Sequence, residues 1–166
     1  MSPLLFLKNL LFTVLVPGTV AVTVPWMIGS AGADASGSSS ATHRYLSLVP
    51  LAAGVCIYLW CLWDFAAFGR GTPAPIDAPK RLVVRGLYHH VRNPMYVGVL
   101  FVTLGWALYF LSARLLLYAA AVGSTFHLFV VVYEEPALLS NFGTDYERYC
   151  SRVRRWVPLL RRGQDD

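Results

Sequence analysis

Residues 94–133 read PMYVGVLFVTLGWALYFLSARLLLYAAAVGSTFHLFVVVY, and the only charged side chain among them is Arg114. Two apolar runs, 94–110 and 115–133, flank the tetrapeptide Leu111-Ser112-Ala113-Arg114. At about 1.5 Å per residue each run crosses a hydrocarbon layer of roughly 30 Å, the first only just. A four-residue connection forces the two helices into an antiparallel hairpin, so the start of the first lies beside the end of the second. Working outward, residues 45–68 and 4–28 form two more apolar runs of membrane-spanning length. The expected fold is therefore an all-α integral membrane protein of about four transmembrane helices, with residues 1–166 as a single membrane domain.

Composition agrees. Apolar residues make up 56% of the 166-residue chain and charged residues 14%, against roughly 25% charged in soluble domains. A soluble protein of this size would expose much of that apolar surface to water, whereas lipid solvates it and leaves only the backbone to be satisfied internally. The run 4–28 is too long for the core of a signal peptide and is expected to stay as a membrane helix, kinked at Pro17-Gly18. Residues 29–44, with Ser36-Gly37-Ser38-Ser39-Ser40, read as a flexible loop. Gly98 and Gly105 permit close helix contact within or between chains.

The net charge of +5 does not point to nucleic acid, because the basic residues flank hydrophobic spans and are not interleaved on a soluble face. Arg70, Lys80, Arg81, Arg85 and Arg92 lie between the second and third spans; Arg148, Arg152, Arg154, Arg155, Arg161 and Arg162 follow the fourth. Only Lys8, Arg44 and Arg114 lie elsewhere, so both charged segments and both termini are expected in the cytoplasm, with anionic lipid as a partner. Trp60 and Trp63 then fall at the inner interface, and Asp64 snorkels there or pairs with an arginine. Cys56, Cys61 and Cys150 form no disulfide framework, and no metal-ligating pattern is present.

Two segments carry more than anchoring requires. In Arg85-Gly86-Leu87-Tyr88-His89-His90-Val91-Arg92-Asn93-Pro94-Met95-Tyr96-Val97-Gly98, Asn93 reads as an N-cap and Pro94 as the first helical residue. That helix end offers free amides and the positive end of a dipole beside Arg85 and Arg92, suited to a carboxylate or phosphate; an ordinary interfacial cap would look similar. The second segment begins Tyr133-Glu134-Glu135-Pro136 and runs to Arg154-Arg155-Trp156-Val157-Pro158. Glu134 and Glu135 end a hydrophobic helix, where the dipole disfavours negative charge, so something must compensate them. Pro136 is expected to open a short helix ending at Gly143, and Thr144 with Glu147 to form a capping box for another. That last helix is amphipathic, with Tyr146, Tyr149 and Trp156 alternating with arginines, and can lie on anionic lipid. His127, seven residues before Glu134, is a functional candidate or a hydrogen-bonding partner for another helix.

Gly-x-Tyr-x-x-x-Arg-Asn-Pro-x-Tyr-x-Gly over residues 86–98, followed by Glu-Glu-Pro-x-Leu-x-x-x-Phe-Gly-x-x-Tyr-x-x-Tyr and Arg-Trp-x-Pro over 134–158, resembles the isoprenylcysteine carboxyl methyltransferase and phospholipid methyltransferase family. The resemblance implies a membrane enzyme that binds S-adenosylmethionine at the cytoplasmic face through segments 80–98 and 134–158 and methylates a lipophilic acceptor. Many members of that family carry histidine where Asn93 stands. Carried onto this sequence, the cofactor would be held by Tyr88, Arg92, Asn93, Pro94, Tyr96, Glu135, Phe142 and Tyr146. Glu135 would meet its ammonium, helix amides its carboxylate and aromatic rings its adenine and sulfonium; Glu134 and Arg155 would serve the acceptor. The acceptor's identity stays open among oxygen, nitrogen and sulfur. Two other readings explain the same apolar chain: a haem-binding subunit using His127 with His89 or His90, and a non-catalytic lipid-binding protein.

The loop charges make a topological prediction. A cysteine placed at Ser38 should react with an impermeant thiol reagent in intact cells, and native Cys150 should be spared; labelling of Cys150 instead would invert the topology.

Overall fold

The computed structural model describes residue 7 and residues 10–31, 41–65, 67 and 82–158. Five helices hold most of these: α1 (Leu10–Ser30), α2 (Ala41–Asp64), α3 (Pro94–Tyr109), α4 (Ala113–Phe142) and α5 (Thr144–Arg152). Among the described residues there is no strand, only an isolated parallel bridge between Val91 and Arg154. Helices α1, α2 and α4 are each long and apolar enough to cross a membrane, and α3 is a shorter apolar helix. The fold is that of an all-α membrane protein. The first turns of the expected 4–28 span, most of the loop at 29–44, residues 80 and 81, and the end of the 45–68 span lie outside the described residues; α2 starts four residues before that span.

Helix α1 shows how proline is handled in lipid. At Pro17-Gly18, where a kink is expected, the helix is π-wound over Val14–Thr23, and α-winding resumes at Val24, just before Pro25. Proline has no amide hydrogen, so Pro25 can serve neither the carbonyl four residues back, Ala21, nor the one five back, Val20. Both are supplied from other helices: Trp106 Nε1 donates to the Ala21 carbonyl at 2.9 Å, and the Tyr118 hydroxyl donates to that of Val20 at 2.8 Å. In a medium without water these two bonds dock α1 onto α3 and α4.

Helices α2 and α3 pack along glycine. A Cβ on Gly98 would stand 2.9 Å from the Gly54 carbonyl oxygen, and one on Gly105 would stand 2.7 Å from Leu51 Cγ. At Gly98 the contact is thus made by backbones, the arrangement that permits dispersion and weak Cα–H bonding where no hydrophobic driving force separates helix from lipid, and at Gly105 the missing side chain makes room for Leu51. The glycines singled out for close contact act within the chain. The α3–α4 hairpin closes as expected: Leu111 takes a left-handed φ of 47°, and the Ser112 hydroxyl accepts from the Leu115 amide at 3.4 Å.

Three local expectations are corrected. Asn93 precedes α3 and Pro94 starts it, but the Asn93 side chain makes no capping bond; its Nδ2 donates to the Arg155 carbonyl at 3.3 Å. Pro136 stands in the first turn of the expected short helix, Glu135–Phe142, which ends at Gly143, but that helix is not separate from the span before it. A π-turn over Val130–Glu134 widens the winding just before the proline, which relieves the clash of its ring with the preceding turn, and the chain stays helical to Phe142. The capping box fails because Thr144 is already inside α5: the boundary residue is Gly143, at φ 51°, and it carries no side chain to cap with.

Replacing Gly98 by Val should lower the stability of the detergent-solubilised protein by about 1–3 kcal/mol through overpacking. Gly123→Ala is the control, since its new methyl would meet Leu100 at an ordinary 3.5 Å; equal thermal shifts for the two variants would refute a backbone-tight α2–α3 seam.

Candidate active site

The helical hairpin brings the start of α3 beside the far end of α4. Glu134 stands roughly 32 Å along α4 from Ala113 at about 1.5 Å per residue, which is one hydrocarbon thickness. The polar residues of both segments therefore meet at one end of the helical bundle. Chain 91–93 is stitched to the segment after α5, with the Arg92 amide donating to the Arg154 carbonyl at 2.8 Å and the Asn93 amide to that of Arg155 at 3.2 Å. The short 3₁₀ turn Gly86–His89 is tied to α5 by the Tyr149 hydroxyl, which donates to the Tyr88 carbonyl at 2.7 Å. Burial pushes the Tyr149 phenol well above its ordinary value, so it remains a donor.

Glu135 is the electrostatic centre. Arg155 donates to it through Nε at 2.7 Å and Nη2 at 2.8 Å, a bidentate fork. Arg92 Nη1 lies 3.1 Å from the same carboxylate and also donates to Cys150 Sγ at 2.8 Å. The side chains of Glu135 and Arg92 are 16% and 12% exposed, whereas that of Arg155 is 39% exposed, so the Arg92 contact is the less screened of the two. Arg92 Nε is buried without a hydrogen-bond partner. Glu134 faces elsewhere and accepts from the Tyr96 hydroxyl at 2.8 Å. Glu134 and Arg155, both expected to serve the acceptor, have different partners: adjacent helical residues project about 100° apart, and Arg155 pairs with Glu135.

Two cavities adjoin here. The polar one holds about 1060 Å³ of empty space including its mouth and is lined by Tyr88, Arg92, Asn93, Tyr96, Glu134, Glu135 and Tyr146, together with Tyr133, Asn141, Tyr149 and apolar side chains of α4 and residues 82–83. The second, of about 630 Å³ on the same measure, is mostly apolar and lies between α1, α2, α3 and α4. Phe65, Tyr88, Arg92, Asn93, Tyr96 and Glu134 line both and form the wall between them.

Seven of the ten residues expected at the site therefore converge. The other three do not line the polar cavity: Pro94 is buried at the start of α3, Phe142 packs against Tyr146, Tyr149 and Val153, and Arg155 lies on the outer side of Glu135. His127 accepts from Trp156 Nε1 at 3.2 Å, while His89 and His90 line a separate groove with Arg148 and Arg152. That separation leaves the haem reading without a ligand pair. No cluster of three metal-ligating side chains occurs among the described residues. The cavity residues that the sequence did not disclose, among them Val130, Ala137, Leu138 and Asn141, share one face with Glu134 at steps of three and four along a continuous α4. A break placed at Pro136 conceals that periodicity.

A model of phospholipid methyltransferases matches residues 42–145, which include α2, the hairpin and both glutamates. The chain belongs to the phospholipid methyltransferase family. Methanethiol S-methyltransferase 1 of Bradyrhizobium diazoefficiens is 37% identical over 84 residues, a stretch that covers 50% of this chain and 28% of that protein. An uncharacterized protein of Haemophilus influenzae is 33% identical over 63 residues, covering 38% of this chain and all of that protein. No solved structure matches the chain.

Tyr149→Phe should lower stability by about 1–3 kcal/mol, because the Tyr88 carbonyl would be left buried and unpaired. A thermal midpoint equal to that of the wild type would show that the tie does not hold the 3₁₀ turn.

Proposed function

We propose that this chain transfers a methyl group from S-adenosylmethionine to a lipophilic acceptor that enters from the bilayer, with the cofactor in the polar cavity on the cytoplasmic side of the inner membrane. The observation that carries the reading is the convergence of Arg92, Asn93 and Tyr96 with Glu134 and Glu135 around one cavity in a member of this family. When bound, the cofactor supplies an electrophilic methyl group on a sulfonium. The chain's own groups suit its parts. Arg92 Nε is a buried donor without a partner and is free to meet a carboxylate. Glu135, held by two guanidiniums, sets a site of one net positive charge that still offers an anion to the ammonium. Tyr88, Tyr96 and Tyr146 supply aromatic walls for adenine and sulfonium. Asn93, whose amide is bonded to the Arg155 carbonyl, positions the end of α3. Methyl transfer by in-line displacement demands chiefly close positioning and a dry site, and a cavity at the membrane face provides both.

The acceptor side falls to Glu134, which faces the apolar cavity. A phospholipid amine, an isoprenylcysteine-like carboxylate and, from the relative in Bradyrhizobium, a thiol are the acceptor classes to be compared.

Saturating S-adenosylmethionine should stabilise the purified protein by about 2.7 kcal/mol at a hundredfold excess over its dissociation constant. Glu135→Gln should weaken that binding by about 1.5–3 kcal/mol, as a charge-assisted contact is lost. Absence of both a thermal shift and a calorimetric signal at millimolar cofactor would refute the reading.

A further inference from the structure

Outside the two cavities, a groove runs along the same end of the bundle between residues 82–90 and α5. It holds about 1560 Å³ of empty space including its open side. Leu82, Val84 and the buried Val153 give it an apolar floor. Its rim carries four exposed nitrogen-rich side chains, His89 and His90 from the 3₁₀ turn and Arg148 and Arg152 from α5. Asp145, Arg148, Tyr149 and Arg152 recur at steps of three and four, so one face of α5 is turned to the groove.

The Arg148–Asp145 ion pair spans 3.5 Å with side chains 68% and 74% exposed, so it holds Arg148 only weakly. Two guanidiniums against one carboxylate leave the groove positive, and each imidazole keeps at least one N–H donor whether or not it is protonated. No three metal-ligating side chains cluster among the described residues, so the imidazoles have no third ligand for a metal and act as donors. Guanidinium forks, ring donors and an apolar floor together suit a phosphate joined to an apolar group. His90 lies four residues before α3 begins and Asp145 three residues after α4 ends. At that depth, where two spans leave the hydrocarbon layer, the phosphates at hand are those of lipid. An amphipathic helix resting on anionic lipid needs only diffuse attraction, whereas this groove aims donors from two segments at one headgroup.

The groove also adjoins the polar cavity, with Leu82 and Tyr149 lining both. Tyr149 holds the 3₁₀ turn through its bond to the Tyr88 carbonyl at 2.7 Å, and Tyr88 is itself a wall of the polar cavity. An anion bridging His89 and His90 to Arg148 and Arg152 would draw the turn and α5 together across that joint.

We propose that the groove binds the phosphate of one anionic lipid and that the bound lipid, by holding the 3₁₀ turn against α5, raises affinity for S-adenosylmethionine. The second half rests on the function proposed above. Coupling of this kind is reciprocal, so the cofactor tightens lipid binding by the same factor.

The test uses the full-length protein in uncharged detergent at pH 8. Native mass spectrometry counts the binding of phosphatidylglycerol, with phosphatidylcholine and inorganic phosphate as comparisons, and one phosphatidylglycerol is expected to bind about tenfold or more tightly than either. Arg152 and Arg154 are both exposed and stand two residues apart, but only Arg152 lines the groove. Arg152→Gln should weaken phosphatidylglycerol about tenfold and Arg154→Gln less than about twofold, as a charge-assisted contact is lost only in the first. His89→Ala with His90→Ala removes donors that carry little charge at pH 8 and should weaken it about fivefold. By calorimetry, saturating phosphatidylglycerol should raise cofactor affinity about fivefold in the wild type and leave it unchanged in Arg152→Gln. Equal losses in Arg152→Gln and Arg154→Gln would reduce the binding to diffuse attraction and overturn the site. Equal affinity for inorganic phosphate, or for phosphatidylcholine, would overturn an anionic lipid as the occupant. Lipid bound at the groove with no change in cofactor affinity would overturn the coupling. A protein that binds the lipid with this pattern of variants, yet binds no cofactor under any condition, would instead overturn the function on which the coupling rests.

Discussion

A carboxylate at the end of a hydrophobic helix has to be neutralised, and the way Glu135 is neutralised organises this end of the molecule. Its side chain is largely buried, so its charge draws in cations from outside α4. They come from two directions: Arg92 from the approach to α3 and Arg155 from the chain beyond α5. Three segments far apart in sequence are thereby fixed to one point. The backbone bonds from Arg92 and Asn93 to the carbonyls of Arg154 and Arg155 run alongside the same knot. Breaking one partner of such a cluster costs more than its contact energy, because a buried charge is left uncompensated.

Much of the architecture was legible because lipid removes alternatives. With no water to satisfy the backbone, an apolar run of twenty residues has little choice but helix, and the tetrapeptide at 111–114 leaves only an antiparallel return. The pairing of the two polar segments follows from that return, which is why Tyr96 and Glu134, separated by two helix lengths in sequence, are found hydrogen-bonded at 2.8 Å. Gly98 and Gly105 could be recognised as packing residues, although only the structure shows Gly54 and Leu51 as their partners.

What sequence reasoning missed came from treating proline and small polar residues by soluble rules. Asn93, Thr144 and Pro136 each suggest a helix boundary, yet Asn93 spends its amide on a distant carbonyl, Thr144 lies one position too far inside, and Pro136 is carried through by a π-turn. Propensity rules describe what a helix end does when water is the competitor; in a membrane, tertiary partners take over the orphaned groups. The partners Trp106 and Tyr118 for the carbonyls before Pro25 illustrate the same substitution. No local pattern reports it, since the donors sit some eighty to one hundred residues away.

The π-turn at Val130–Glu134 also sets how this chain tolerates change in length. A π-turn holds about one residue more than an α-turn, so the part of α4 beyond it is offset by about 100° relative to an unbroken α-helix. Deleting a single residue from 130–134 would let the winding revert to α, and the span would still cross the bilayer with the same hydropathy. One residue fewer and the loss of the 100° offset cancel, so Glu135 would still face Arg92 and Leu138 and Asn141 would still line the cavity. Single-residue deletions here are therefore tolerated by the span and by the site alike, whereas a single-residue deletion on the Ala113 side of the turn, where there is no surplus residue to give up, would rotate one part of α4 by about 100° against the other.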